Sequence, residues 1–242
     1  MNYNLVVTIM AAGEGKRMNS NIPKILHQFK GIPMLIRIIT EVLKINPSKI
    51  IIITGKYDIL IKETIQNYIE NYDNLVFIKQ NIPHGTGDAI KCTLNEYNDD
   101  DHVLILNGDM PLIQSNLLNK FINDFSQAKL LVAKLENPFG YGRILYNNNK
   151  FIGIKEEKDC DLIEKEIDIV NVGIYFFKSF ILKKYIPLID NNNIQNEYYL
   201  TDIVKIIKND INIDTYLIEE ELKYQILGVN TQQELLDLEN KY

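Results

Sequence analysis

Apolar positions in the first half of the chain alternate between two rhythms. Short runs rich in Val and Ile, bounded by turn residues, predict strands at Leu5–Ile9, Ile50–Thr54, Leu75–Lys79 and Val103–Leu106. Between them lie segments with a helical rhythm, Pro33–Ile45, Asp58–Tyr72 and Thr86–Tyr97. In the first of these, Leu35, Ile38, Ile39, Val42 and Leu43 share one helix face. Such alternation implies βαβ units and a mainly parallel sheet. Ligands of parallel sheets sit beyond the C-terminal strand ends. The loops after the first and fourth strands, Met10–Met18 and Asn107–Leu112, are therefore expected to share one crevice.

The second half is more mixed. The stretch "GYGRILYNNNKFIGIKEEKD" reads as a hairpin, with Asn147–Asn149 turning between strands Arg143–Tyr146 and Phe151–Lys155. A strand at Asp168–Phe177, helices at Ser179–Ile186 and Thr201–Lys208, a strand at Ile213–Ile218 and a closing helix at Thr231–Tyr242 follow. The chain shows no internal repeat, and no Pro/Gly/Ser linker separates the halves. Residues 1–242 are expected to form a single α/β domain. Its sheet would be Rossmann-like, mixed and mainly parallel, flanked by helices, with a lobe carrying the hairpin.

Composition narrows the function classes. A net charge of -6 argues against binding nucleic acid or an anionic membrane, which needs a basic face. Cys92 and Cys160 form no closely spaced metal or redox motif and read as free thiols of a reduced cytoplasm. The N-terminal apolar run lacks a basic flank and is too short for a signal or a membrane span, so a cytoplasmic protein is expected. His27, His84 and His102 are scattered, and no His/Cys cluster suggests a metal centre. Arginine is scarce: Arg17, Arg37 and Arg143 are the only ones.

One of those arginines lies in the loop "MAAGEGKRM", Met10–Met18. A Walker A loop would need glycine where Met10 stands and Ser or Thr where Arg17 stands. A dinucleotide fingerprint would need a third glycine at Met18. Both readings fail. The remaining pattern is a small-residue loop with Arg17, followed by "IPKILH" with Lys24, so that two cations could flank a polyphosphate. A plain turn with solvated charges fits this loop alone equally well. In "LNGDMPL", Asp109 follows a glycine at a strand end, where a carboxylate beside a phosphate loop suits Mg²⁺; a turn-forming Asp before Pro111 is the alternative. "NIPHGTGDAI" is a second glycine-bearing loop entering a helix, with Thr86 at its start.

Together with "HGTGDA", "GYGRI", "GIKEEKD", "VNVGIY", "NEYYLTDI" and "LGVN", these motifs resemble the uridyltransferase domain of bacterial-type UDP-N-acetylglucosamine pyrophosphorylases over nearly the whole chain. The first motif is shared by many sugar-phosphate nucleotidyltransferases; the later ones are closer to the N-acetylglucosamine branch. The resemblance implies uridylyl transfer from UTP to N-acetylglucosamine-1-phosphate. It implies that the backbone of Met10, Ala11, Ala12 and Gly13 meets the nucleotide, and that Gln80 and Gly85, with Thr86 nearby, read the uracil. Arg17 and Lys24 would hold the triphosphate as catalytic cations, and Asp109 and Asn230 would bind Mg²⁺. Asn107, Gly108, Gly142, Glu156, Asn171 and Asn230 would line the sugar side. Tyr198 and Tyr199 would support the pocket by packing.

The sequence also departs from this family. Asn107 stands where tyrosine is usual, which removes an aromatic wall beside the sugar. Lys16 and Val172 stand where threonine is common, and Lys16 either adds a phosphate contact or faces solvent. Bifunctional members continue into a left-handed β-helix that carries an acetyltransferase. With no hexapeptide repeat here, neither that activity nor a β-helix trimer is expected. The nearest alternatives are a pyrophosphorylase of UDP-glucose or dTDP-glucose type and a non-catalytic nucleotide-sugar sensor. A glycosyltransferase is disfavoured, because those enzymes generally hold metal on an Asp-x-Asp pair and Asp109 has only Gly108 and Met110 beside it.

Overall fold

The structure, a computed structural model, describes residues 3–70, 73–124, 127–147 and 150–242, with Lys16 and Lys150 described by backbone alone. The first half comprises β1 (Asn4–Met10), the short pair β2 (Gln28–Phe29) and β3 (Ile32–Pro33), α1 (Met34–Leu43), β4 (Lys49–Thr54), α2 (Asp58–Tyr68), β5 (Leu75–Lys79), α3 (Thr86–Lys91) and β6 (Asp101–Asn107). The second half adds α4 (Ser115–Ile122), β7 (Ala128–Lys134), β8 (Gly142–Asn147), β9 (Lys150–Lys155), β10 (Ile169–Lys178), α5 (Ser179–Tyr185), α6 (Asp202–Ile207), β11 (Ile213–Leu217) and α7 (Gln232–Lys241).

One nine-stranded sheet runs through both halves in the order β11-β7-β10-β6-β1-β4-β5, with the β8–β9 hairpin joined to β10. β5, β4, β1 and β6 are parallel, whereas β10 runs antiparallel to both β6 and β7. The sheet is thus mixed and mainly parallel, as expected. Along β1, Val7 and Ile9 join one buried cluster and Val6 the opposite one, because successive side chains point to opposite faces. Both faces are covered, which explains why these strands read as continuous apolar runs. Each fully buried Ile or Leu contributes roughly 1.5–3 kcal/mol relative to exposure.

One expectation needs correcting. The segment Thr86–Tyr97 is not one helix: α3 ends at Lys91, and a separate 3-10 turn covers Leu94–Glu96. Thr93 Oγ1 bonds to the Ile90 carbonyl and to Tyr97 Oη, both at 2.7 Å, a local pairing that competes with helix continuation. No expectation covered α4 or β7. β7 is buried on nearly every residue, and a short apolar run without alternation cannot be told from a buried helix segment by period. The hairpin strands lie where expected, while Asn148 and Asn149 of the turn fall outside the described residues, as do Asn71 and Tyr72 at the end of the second expected helix. No helix among the described residues is long and apolar enough to cross a membrane.

Candidate active site

β1 and β6 end side by side, with Met10 in register with Asn107, so the two loops open into the same crevice. The loop after β1 turns at Gly15, whose φ of +63° is a conformation glycine adopts without steric cost. A Cβ at that position would stand 2.5 Å from Lys24 Cβ, so the loop rests directly on Lys24. Buried Met18 anchors the following 3-10 turn and leaves Arg17 exposed.

Four side chains from distant segments converge beside this loop. Lys24 Nζ donates to Asp109 Oδ2 at 2.5 Å and to Asn230 Oδ1 at 2.9 Å, and Arg17 Nη2 donates to the same Asn230 oxygen at 2.9 Å. The backbone fixes the partners: Val229 N–H donates to the Asp109 carbonyl at 3.0 Å, and Asn230 N–H to Glu234 Oε2 at 2.7 Å. Thr231 caps α7 by accepting from Glu234 N–H at 3.1 Å, which sets the position of Asn230. The other two arginines are structural. Arg37 donates to the Pro111 carbonyl, and fully buried Arg143 pairs with Glu157 at 2.7 Å.

A cavity of about 290 Å³ lies on the β1 side of this cluster. Met10, Ala12, Gly13, Lys24, Gln80, Gly85 and Thr86 line it, with Asn107, Gly108 and Asp109. Ala11 does not: its N–H is held by the Ile53 carbonyl at 2.9 Å and its side chain is buried in the core. Gly108, expected beside the sugar, lines this cavity instead, and its N–H is taken by the Met10 carbonyl at 3.0 Å. Gln80 Nε2 is used on Gly85 O and Asp88 Oδ2, which leaves Oε1 as the acceptor this side chain can offer. Thr86 Oγ1 accepts from Leu200 N–H at 2.9 Å, and Tyr198 exchanges backbone bonds with His84 and Gly87, so the segment around Tyr198 braces the wall.

A second cavity, of about 440 Å³, opens on the hairpin side and shares Met10, Thr86, Asn107 and Asp109 with the first. Arg17, Gly142, Glu156, Asn171 and Asn230 all reach it. Glu156 Oε1 accepts from Thr201 Oγ1 at 2.7 Å, and burial pushes its carboxyl pKa up despite that bond. Asn171 bonds through Nδ2 to Tyr175 Oη at 2.7 Å and through Oδ1 to Gly173 N–H at 3.3 Å. Gly173 has φ +81°, and a Cβ there would meet Asn107 Nδ2 at 2.5 Å, so glycine makes room for the Asn107 amide. Lys16, whose side chain is outside the described set, receives no placement.

The cavity also contains residues that motif reading left without a role. Tyr141, Tyr175 and Thr201 lie in its wall within motifs quoted above, and Phe139 sits at its rim, 77% exposed. Burial, with Asp109 and Glu234 nearby, pushes the Tyr141 phenol up, so it stays a protonated donor at neutral pH. An aromatic directly before "GYGRI" was the available signal for Phe139.

Residues 7–152 match the MobA-like NTP transferase domain. A protein of Acanthamoeba polyphaga mimivirus, assigned as a UDP-N-acetylglucosamine pyrophosphorylase, is 42% identical over 99% of this chain and 97% of its own length. The chain belongs to this nucleotidyltransferase family. The bifunctional GlmU proteins of Nitratiruptor sp. and Francisella tularensis subsp. holarctica are each 39% identical, over 96% and 97% of this chain. The chain spans about half the length of these bifunctional relatives, 53% and 51% respectively. In three dimensions the fold is similar to that of a candidate glucose-1-phosphate thymidylyltransferase from Bacillus anthracis, solved with sucrose, at a TM-score of 0.74 and 18% identity over 98% of this chain and 94% of that one. At that identity the likeness concerns the fold alone.

Proposed function

We propose that this nucleotidyltransferase moves a uridylyl group from UTP to N-acetylglucosamine-1-phosphate, giving UDP-N-acetylglucosamine and pyrophosphate. The observation that carries this reading is the convergence of Arg17, Lys24, Asp109 and Asn230 where two connected cavities meet. The mimivirus relative, similar along its full length, supports the choice of substrates. The β1-side cavity would take uracil and ribose, with Gln80 Oε1 accepting the uracil imide N–H. The hairpin-side cavity would take the sugar, with Glu156 accepting from a hydroxyl or the acetamido N–H.

A sugar-phosphate oxygen attacks the α-phosphorus of UTP in line. The new P–O bond forms as the bond from the α-phosphorus to the bridging oxygen breaks, and pyrophosphate leaves with that electron pair. The nucleophile is already an anion, so the site needs no general base. Arg17 and Lys24 orient the phosphates and neutralise charge that builds on the leaving group.

The donor set also fits Mg²⁺. Asp109 Oδ2 and Asn230 Oδ1 are hard oxygens that already converge on one cation, the Lys24 ammonium. Two protein oxygens suit an ion that retains water and takes phosphate oxygens as further ligands. Bound there, Mg²⁺ would supply charge neutralisation at the phosphates. Pyrophosphate release measured with UTP against a panel of sugar-1-phosphates tests the reading. Release with N-acetylglucosamine-1-phosphate well above the others is expected. Preference for glucose-1-phosphate, or for dTTP over UTP, would replace the substrate assignment, and release with none would leave a nucleotide-sugar sensor.

A further inference from the structure

Lys24 holds one oxygen of each of the two residues that the site offers to a metal ion. Its ammonium lies 2.5 Å from Asp109 Oδ2 and 2.9 Å from Asn230 Oδ1, and Arg17 stands on the second oxygen as well. The Lys24 and Asp109 side chains are only 15% and 19% exposed, so solvent screens the contact poorly. Each member is also held from behind: Lys24 by the Gly15 turn, Asp109 by Val229 and Asn230 by Glu234.

We propose that Lys24 is a stand-in cation that keeps Asp109 and Asn230 closed to divalent metal until a polyphosphate draws its ammonium away. This rests on the nucleotidyl-transfer reading and adds an order of events to it. A divalent ion entering between the same two oxygens must either expel the ammonium or sit within a few ångströms of it and of Arg17, where repulsion in a half-buried site is strong. A triphosphate changes the balance. It carries more negative charge than one carboxylate, and Lys24 already lines the cavity beside Ala12 and Gly13 where it would lie. The ammonium then exchanges a carboxylate for phosphate oxygens, and the vacated pair receives the ion that accompanies the nucleotide. Metal and nucleotide must raise each other's affinity by the same factor, since linkage is reciprocal.

Mn²⁺ serves as the probe, with free Mn²⁺ read by electron paramagnetic resonance against the full chain without nucleotide. Wild type is expected to bind weakly. Lys24→Met is expected to bind at least roughly ten-fold more tightly, because the competing charge is gone, and adding Asp109→Asn should erase the gain. The same Lys24→Met protein should lose turnover. A lysine with only a structural role would weaken metal binding along with turnover, so opposite signs are the distinguishing result. Unchanged or weaker Mn²⁺ binding by a Lys24→Met protein with native circular dichroism overturns the proposal. If that variant does not fold, Lys24→Gln, which keeps an N–H donor toward Asp109, carries the same expectation and the same refutation. Pyrophosphate release by the wild type is scored separately. Its absence with every sugar-1-phosphate removes the reaction assignment and leaves the Mn²⁺ comparison to be judged by itself.

Discussion

The two cavities meet at Asp109 in a cluster of charged groups that differs from the polar groups deeper on the hairpin side. At that junction the working groups are charged and bonded to one another: Arg17, exposed and reaching the hairpin-side cavity, and Lys24, lining the β1-side cavity, both donate to Asn230, and Lys24 also holds Asp109. On the sugar side the polar groups are withdrawn and already bonded to their own chain, Glu156 to Thr201 and Asn171 to Tyr175 and Gly173. The first arrangement recruits a highly charged ligand and stabilises charge that grows during reaction. The second suits discrimination, because a ligand that fails to replace a buried hydrogen bond leaves a polar group unpaired. Losses in the charged cluster should therefore fall on kcat, and losses on the sugar side on KM for the sugar phosphate.

The largest effect should come from the charged cluster. Asp109→Ala or Arg17→Ala is expected to raise the barrier by at least about 2–4 kcal/mol, a loss of roughly two to three orders of magnitude in kcat. Near wild-type pyrophosphate release by purified Asp109→Ala protein would break the comparison at its stronger end. Gly15→Ala should come next. It forces φ +63° on a residue with a Cβ and drives that atom into Lys24, which should cost about 1–3 kcal/mol of stability and lower kcat by displacing the lysine. Thermal melting and turnover together check it.

Glu156→Gln should show the opposite pattern, with KM for the sugar phosphate rising roughly ten-fold at nearly unchanged KM for UTP. Its pH dependence has a definite sign. Burial raises the folded-state pKa of Glu156, so above the ordinary carboxylate range of about 4.3 the folded chain binds more protons than the unfolded one. Wild-type stability therefore falls as pH rises from that range through the raised value. Glu156→Gln removes this contribution, and its melting temperature relative to wild type should improve from mildly acidic to neutral pH. A parallel loss at all pH values would mean that Glu156 is held as a structural anion rather than as a ligand group under strain.

The same contrast explains what could be read from sequence. The β1 side is built from Val/Ile strands bounded by turn residues, so β1, β4, β5 and β6 were legible from periodicity. Elimination of two rival loops left Arg17 and Lys24 as cations, but only the family resemblance joined them to Asn230, more than two hundred residues away. The sugar side depends on non-local pairing. β10 lies between β6 and β7, and nothing in the short apolar run of β7 marks it as a strand rather than a helix. Burial of Glu156 was likewise hidden. It sits in a run of charges that composition reads as solvated, whereas in the fold it is bonded to Thr201, the residue that precedes α6. Ala11 lies in the motif "MAAGEGKRM", yet its N–H is taken by the Ile53 carbonyl and its side chain by the core, which the motif does not reveal.

Phe139 gives the smallest and most selective test. Its ring is exposed at the rim of the hairpin-side cavity and absent from the wall of the other. The turn beneath it is firmly mounted: Asn137 Oδ1 accepts from Phe139 N–H, and Gly140 N–H donates to Glu157, which is paired with buried Arg143. Such a mount costs a ligand little ordering entropy when it covers the ring. If a sugar face shields roughly 40 Å² of the ring, about 1 kcal/mol is at stake at 25 cal/mol per Å². Phe139→Ala should then raise KM for the sugar phosphate about five-fold, with kcat, KM for UTP and melting temperature unchanged because the side chain has no core contacts to lose. Because the chain contains no tryptophan, Phe139→Trp adds a direct optical reading. Its emission should shift to the blue with UDP-N-acetylglucosamine and stay in place with UDP. A shift with UDP alone would move Phe139 to the nucleotide side and erase the boundary between the two cavities.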